Sequence, residues 1–140
     1  MGIHLDAAGP QLPMAKAVEF TNTSNFEAEC RRMPVFVLHE LAHAYHDRVL
    51  GNDHAGIKAA YEAAKATGKY DRVERKDSEG RQRLDRAYAI ANPQEYFAET
   101  TEAFFAENDF FPYERAQLQT HDPQMFALLK VLWGLSESSE

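Results

Sequence analysis

The chain has 140 residues, of which 44% are hydrophobic and 26% are charged, and its formal net charge is −7. This length and composition predict one globular domain with a hydrophobic core. The excess of negative charge argues against nucleic acid binding through the phosphate backbone. No segment approaches the about 18 consecutive apolar residues of a membrane span. The single cysteine, Cys30, excludes an intrachain disulfide.

We expect one domain over residues 1–140, with residues 136–140 as a disordered tail. Residues 1–5 contain neither the basic nor the apolar region of a signal peptide. The localisation is therefore left unassigned, and secretion stays open because a chain trimmed of a leader would look the same. The oligomeric state cannot be read from these features, and a monomer is assumed.

Two strands are predicted near the start of the chain, at residues 2–6 and 15–22, the second from its alternation of apolar and polar residues. A helix is predicted over 34–50, because apolar residues recur there at helical spacing. Pro34 is typical of the first turn of a helix and Gly51 of a helix end.

A second helix is predicted over 55–67, with Gly68 at its end. The charged segments 70–76 and 81–88 flank a polar turn and predict a hairpin. Three more helices are predicted over residues 93–107, 113–119 and 123–133, the last with Asp122 as N-cap. The predicted fold class is α+β, mostly helical, with a small mixed sheet or hairpin packed on the 34–50 helix.

The segment from His39 to His43 carries the motif HExxH. Residues four apart on a helix share one face, about 6 Å apart along the axis, so two imidazoles can bind one metal ion. Glu40 then lies beside the ion, where its carboxylate can accept a proton from a metal-activated water. The motif therefore predicts a zinc site with His39 and His43 as ligands and Glu40 as general base.

A tetrahedral zinc site of this kind needs a third protein ligand. The extended motif HExxHxxGxxH fails, because His46 stands where it requires glycine and Val49 where it requires the last histidine. His46 is expected to be exposed, with a place behind the site or facing substrate as alternatives. Asp47 and Asp85 are available carboxylates, but neither lies in an informative setting.

The helix that follows Asn92 is another source of the third ligand. Glu95 and Glu99 are four residues apart on one face of this helix, and Glu102 follows one turn later. Carboxylates on a helix that otherwise faces the core are unfavourable unless they meet a cation. One acid can bind the metal while another orients a ligand histidine. The alternative is a solvated stripe of acids.

Two segments together, HELAHAYHD at 39–47 and NPQEYFAE at 92–99, resemble the gluzincin zinc metallopeptidases, and within them the anthrax lethal factor-like catalytic domain. The resemblance covers residues 15–133. It implies a zincin-like fold and one Zn²⁺ per chain. The metal ligands that it implies are His39, His43 and Glu95. Nothing here resembles the delivery domains of lethal factor, so toxin activity is not implied.

The same resemblance implies three further roles. Glu40 is the general base, Glu99 is the acid behind a ligand histidine, and Tyr88 donates a hydrogen bond to the developing oxyanion or leaving group. We therefore expect zinc-dependent hydrolysis of peptide bonds, with a peptide or protein as substrate. Endopeptidase action is favoured, and exopeptidase action stays open. In such folds an edge strand binds extended substrate, and residues 15–22 are the candidate.

Three other functions stay open at this stage. A catalytically inactive zinc-binding interaction module would bind metal without cleaving peptides. A helical interaction domain with a chance HExxH would bind no metal. A zinc hydrolase could instead act on an amide that is not a peptide. Substrate sequence and biological target depend on the walls of the site and are not encoded in the motifs.

Overall fold

The computed structural model describes residues 34–135. The predicted strands at 2–6 and 15–22 and the predicted tail at 136–140 lie outside these residues. Across 34–135, no helix has the length and apolarity that a membrane crossing requires.

The described elements are, in chain order, helix α1 (Val35–Tyr45), a π-helical turn (His46–Leu50), α2 (Ala55–Thr67), strands β1 (Val73–Lys76) and β2 (Gln82–Asp85), a 3-10 turn (Tyr88–Ile90), α3 (Pro93–Phe105), α4 (Arg115–His121) and α5 (Pro123–Leu132). The predicted helices and the hairpin are confirmed, with small differences at their ends. The π-helical turn and the 3-10 turn were not predicted.

Strands β1 and β2 form an antiparallel hairpin in which Val73 lies opposite Asp85. A bridge between Arg75 and Phe110 joins the hairpin to the segment that follows α3. Within residues 34–135 the sheet is thus a two-stranded antiparallel one, not a mixed one. The hairpin is tied to the segment after α3 and does not pack extensively on α1 within residues 34–135, so its predicted packing on that helix is not confirmed. The packing of a larger sheet on α1 stays a prediction, because the other predicted strands lie outside the described part.

Helix α3 is the central element of the fold. Every residue from Tyr96 to Phe105 is buried, and these include the acidic side chains of Glu99 and Glu102. Helix α1 packs along α3, and α2, α4, α5 and the 3-10 turn cover its other sides. A helix that is buried all round is expected to be apolar all round. The two acids inside it therefore call for a compensating partner.

Trp133, at the end of α5, packs against both α1, which carries the HExxH motif, and α3, which carries Glu95. Its ring stacks on Tyr45 of α1, with centroids 4.4 Å apart, and on Phe97 of α3, with centroids 5.6 Å apart. The indole Nε1 donates a hydrogen bond to Thr101 Oγ1 at 3.2 Å. One rigid ring thus packs against both α1 and α3 and contributes to their packing on this side.

Asp122 is the N-cap of α5, as predicted, and accepts a hydrogen bond from the backbone N–H of Met125 at 3.2 Å. Its other oxygen accepts hydrogen bonds from the hydroxyls of Tyr70, at 2.9 Å, and Tyr96, at 2.7 Å. Burial raises the pKa of both tyrosines, and the charge of Asp122 adds to the increase, so both hydroxyls stay donors. This buried network ties α3 to the start of α5.

Candidate metal centre

His39 and His43 lie one turn apart on α1, and both are partly buried. Their rings meet edge to face, with centroids 4.7 Å apart. The two Nε2 atoms are 3.1 Å apart. Two nitrogen lone pairs would repel each other at this distance, so either a proton or a cation must lie between them. The arrangement is therefore a candidate cation site.

Glu95 reaches the same point from the first turn of α3. Asn92 caps this helix by accepting a hydrogen bond from the Glu95 backbone N–H at 2.8 Å, and Pro93 follows in the first turn. Glu95 Oε1 lies 3.1 Å from His39 Nε2, and Oε2 lies 3.3 Å from His43 Nε2. The structure thus brings together the three side chains that the sequence predicts as metal ligands.

These three side chains fit a zinc ion. A tetrahedral zinc site with bonds of about 2.0–2.2 Å has ligand atoms about 3.3–3.5 Å apart. The separations among the two Nε2 atoms and the Glu95 oxygens are 3.1 to 3.3 Å. Two imidazoles and one carboxylate form a donor set typical of catalytic zinc, in which the fourth position takes water or substrate.

Two buried carboxyl groups lie behind His39. Its Nδ1 atom makes a hydrogen bond with Glu102 Oε2, and Glu99 Oε2 lies 3.4 Å from the same nitrogen. The role predicted for Glu99 stays a prediction, because both acids face this nitrogen. Sequence reasoning gave Glu102 no role, although its spacing of seven residues from Glu95 places it on the same helix face.

Burial and mutual contact shift the pKa values in this cluster. The hydrogen bond to Glu102 raises the pKa of His39 to about 9, while burial opposes the increase. Burial raises the pKa of Glu99 to about 8, and the charge of Glu102 adds to it. Burial also raises the pKa of Glu102, although its hydrogen bond with His39 opposes this. Such a cluster retains protons at neutral pH that a metal cation can displace.

Glu40 is exposed beside His39, and both residues line a cleft of about 540 Å³. The apolar wall of this cleft includes Val35 and Phe36, and the segment 107–109 after α3 forms part of its polar wall. Nothing in the sequence pattern marked this segment as part of a site. The predicted general base therefore lies where a substrate in the cleft could reach it.

Tyr88 lies in the 3-10 turn just before α3, and its side chain is 50% exposed. The turn is held in place by Ile90, whose carbonyl accepts a hydrogen bond from the Tyr61 hydroxyl at 2.8 Å. The charge of Glu95 raises the pKa of Tyr88, and a hydrogen bond with the same carboxylate adds to the increase. Tyr88 is thus a neutral donor beside a candidate metal ligand, and its catalytic role stays a prediction.

Three other residues considered from the sequence lie away from the ligand cluster. His46 is 1% exposed and packs on Phe97, with ring centroids 5.2 Å apart, so the expectation that it is exposed was wrong. The physical reason is that the turn after α1 still faces α3. Asp47 is exposed on the surface, and Asp85 pairs with Arg75 of the hairpin at 3.0 Å.

A comparison with protein families places this geometry in context. The family model described as "Anthrax toxin lethal factor, N- and C-terminal domain" matches residues 15–132. No curated protein and no solved structure matches the chain. The matched range includes both motif segments and all three candidate ligands. The description covers two domains of lethal factor, and the match itself does not single out either of them. By the extent of this match, the chain belongs to the anthrax toxin lethal factor N- and C-terminal domain family.

Proposed function

We propose that the chain is a zinc-dependent peptidase of the gluzincin type, with a zincin-like fold. The observation that carries this proposal is the convergence of His39, His43 and Glu95. The two Nε2 atoms are 3.1 Å apart, Glu95 Oε1 lies 3.1 Å from the first, and Glu95 Oε2 lies 3.3 Å from the second. Two histidines on one helix and a glutamate on a second, packed helix form a set that binds catalytic zinc in hydrolases. The family membership and the HExxH motif support the same function.

The bound metal would supply Lewis-acid activation of a carbonyl oxygen and of water. The side chains supply the proton transfers and the orientation. Glu40 is exposed at the cleft next to His39, where its carboxylate can accept the proton of the attacking water and pass it to the leaving amine. The hydroxyl of Tyr88, beside Glu95, can donate a hydrogen bond to the oxyanion that develops on the substrate.

The cleft beside the candidate metal centre suits a peptide substrate. Its volume of about 540 Å³ is in the range of ligand-binding pockets. Val35 and Phe36 offer apolar contact, and Phe36 is 70% exposed. Charged side chains, among them Lys76 and Asp109, line the cleft as well and can contact the polar backbone of a peptide.

The test combines metal analysis with peptide cleavage. We expect inductively coupled plasma mass spectrometry to find one zinc per chain in the wild type and to find it lost in Glu95→Ala. Glu40→Gln should keep zinc and lose about 100-fold or more of the hydrolysis of a peptide library, since general base catalysis contributes about that much. The matched control is Glu62→Gln, an exposed acid on α2 that should change neither quantity.

Each result has a defined meaning for the proposal. A wild type that binds no zinc after zinc is supplied would refute the metal centre and leave a helical interaction domain. Zinc binding without cleavage of any library peptide would favour an inactive zinc-binding module or a hydrolase of non-peptide amides. Unreduced cleavage by Glu40→Gln would overturn the role of Glu40 alone.

A further inference from the structure

The second nitrogen of a ligand histidine controls how its ring is oriented. In metal sites this N–H donates to a carboxylate or carbonyl, which fixes the tautomer and aims the other nitrogen at the metal. In His39 the Nε2 atom faces His43 and Glu95, so Nδ1 is the nitrogen that must be held. Two acids, Glu99 and Glu102, compete for it.

We propose that Glu102 is the positioning residue for His39, an inference that rests on the proposed zinc site. Glu102 Oε2 makes a hydrogen bond with His39 Nδ1. Glu99 Oε2 lies 3.4 Å from the same nitrogen. The resemblance in sequence assigned this role to Glu99, whereas the contacts favour the acid one turn further along α3.

The spacing on α3 explains why Glu102 can reach this nitrogen. Glu95 and Glu102 are seven residues apart, which places them on one face with about 10.5 Å between them along the helix axis. The ring of His39 contacts the side chains of both residues. Its Nε2 lies 3.1 Å from Glu95 Oε1, and its Nδ1 contacts Glu102. One imidazole thereby joins α1 to two residues of α3 that lie two turns apart.

The two acids are equally buried but differ in their hydrogen-bond partners. Glu99 and Glu102 are each 5% exposed, although both line the cleft beside His39. A buried carboxylate persists where it meets a cation or a strong donor. For Glu102 the His39 ring is that partner. By contrast, Glu99 Oε1 is buried without a hydrogen-bond partner in the described part of the chain. Glu102 is therefore the engaged acid.

The expected effect is on metal affinity. If Glu102 accepts a hydrogen bond from His39 Nδ1–H, the lone pair of His39 Nε2 is already directed toward His43 and Glu95 in the metal-free protein. Loss of such a partner lowers metal affinity by about 10–100-fold in comparable sites. Glu102→Ala should show this loss. Glu102→Gln should show part of it, because an amide oxygen still accepts a hydrogen bond but carries no charge.

The experiment measures zinc affinity by competition with a chromogenic chelator, for wild type, Glu102→Ala, Glu102→Gln and Glu99→Gln. Glu62→Gln on α2 is the control and should bind zinc as the wild type does. The tautomer of the His39 ring, read from nitrogen NMR shifts of the zinc-loaded protein, gives a second readout. We expect Glu99→Gln to change affinity far less than Glu102→Ala.

Several outcomes would overturn the inference. These are wild-type affinity in Glu102→Ala, or a loss in Glu99→Gln as large as that in the Glu102 variants. If Glu102→Ala does not fold, Glu102→Gln decides, because unchanged affinity and an unchanged ring signal in that variant would also overturn it. If the wild-type protein binds no zinc, the proposed function is refuted. If the wild type binds zinc and the Glu102 variants bind it with the same affinity, only the role of Glu102 is refuted.

Discussion

Replacing Asp122 with alanine would remove three hydrogen bonds from the buried network that joins α3 to α5. The carboxylate accepts from the hydroxyls of Tyr70 at 2.9 Å and Tyr96 at 2.7 Å, and from the backbone N–H of Met125 at 3.2 Å. Asp122 is 2% exposed, Tyr70 is 1% exposed and Tyr96 is fully buried. Water therefore cannot replace the lost acceptor unless the core opens.

The loss of stability can be estimated from these contacts. Each tyrosine hydroxyl left buried without an acceptor costs about 1–3 kcal/mol, and loss of an N-cap costs about 0.5–2 kcal/mol. Removing a buried carboxylate also removes its desolvation penalty, which offsets part of the loss. We expect Asp122→Ala to lower the free energy of unfolding by about 3–6 kcal/mol, a large part of the about 5–15 kcal/mol of a typical domain.

Urea unfolding followed by the fluorescence of Trp133, the only tryptophan, measures this loss. Asp53→Ala, in an exposed turn, is the control and should stay near the wild type. In a Tyr70→Phe, Tyr96→Phe background, Asp122→Ala should cost less, because no hydroxyl is left unpaired. A loss below about 1 kcal/mol in the single variant would refute the reasoning, since that is the effect of an ordinary substitution.

Three further predictions concern the candidate site and the fold. Tyr88→Phe should keep its zinc and lose about 100-fold in kcat for peptide hydrolysis, as removal of an oxyanion donor does; an unchanged kcat would remove Tyr88 from the mechanism. Burial lowers the pKa of His46 in the folded chain below its ordinary value of 6.5. Below pH 6.5 the unfolded chain therefore binds a proton that the folded chain does not bind as readily. The free energy of unfolding then falls with decreasing pH, by at most about 1.4 kcal/mol per pH unit. In urea titrations His46→Leu should flatten this pH dependence and Met125→Leu should not, and an equal slope in both would contradict the assignment. Gly68→Ala should lower stability by about 1 kcal/mol in the same assay, because Gly68 ends α2 at a φ of 73°. A urea unfolding midpoint equal to that of the wild type would count against this.

The helices were predictable because their ends carry local signals. Asn92 with Pro93 marks the start of α3, and Gly68 marks the end of α2. The π-helical turn at His46–Leu50 has no such signal, because it differs from an α-helix only in its hydrogen-bond register. The burial of His46 follows from the packing of α1 on α3, a tertiary contact that the spacing of apolar residues in one helix does not specify.

The histidine pair could be predicted because spacing along a helix fixes which side chains share a face, whereas the choice of Glu95 among the carboxylates rested on the family resemblance. His39 and His43 are four residues apart, and so are Glu95 and Glu99. Which acid then meets His39 Nδ1 depends on where α1 crosses α3, and the sequence does not state this crossing. The contact between Glu102 and His39 therefore follows from how the two helices pack. The cleft wall at 107–109 depends likewise on the bridge that ties this part of the chain to the hairpin.

The charges in the candidate centre lead to a last prediction, on metal and stability. Glu95 lies beside both histidines, and Glu99 and Glu102 lie beside His39, so a divalent cation in this partly buried site would offset the repulsion among the carboxyl groups. On the proposed function, zinc at 100 times its dissociation constant should stabilise the folded chain by about 2.7 kcal/mol. At about 2–8 °C per kcal/mol, the melting temperature should rise by at least about 5 °C.

Calorimetry in zinc and in a chelator measures this shift. The Glu95→Ala variant should show little of it, and Mg²⁺ should not reproduce it, because magnesium prefers six oxygen ligands. The ligands come from α1 and α3, so a bound zinc ion must hold these two helices together. Equal melting temperatures of the wild type in zinc and in chelator would therefore refute the proposed metal centre, because a cross-link between two core helices cannot form without stabilising the fold.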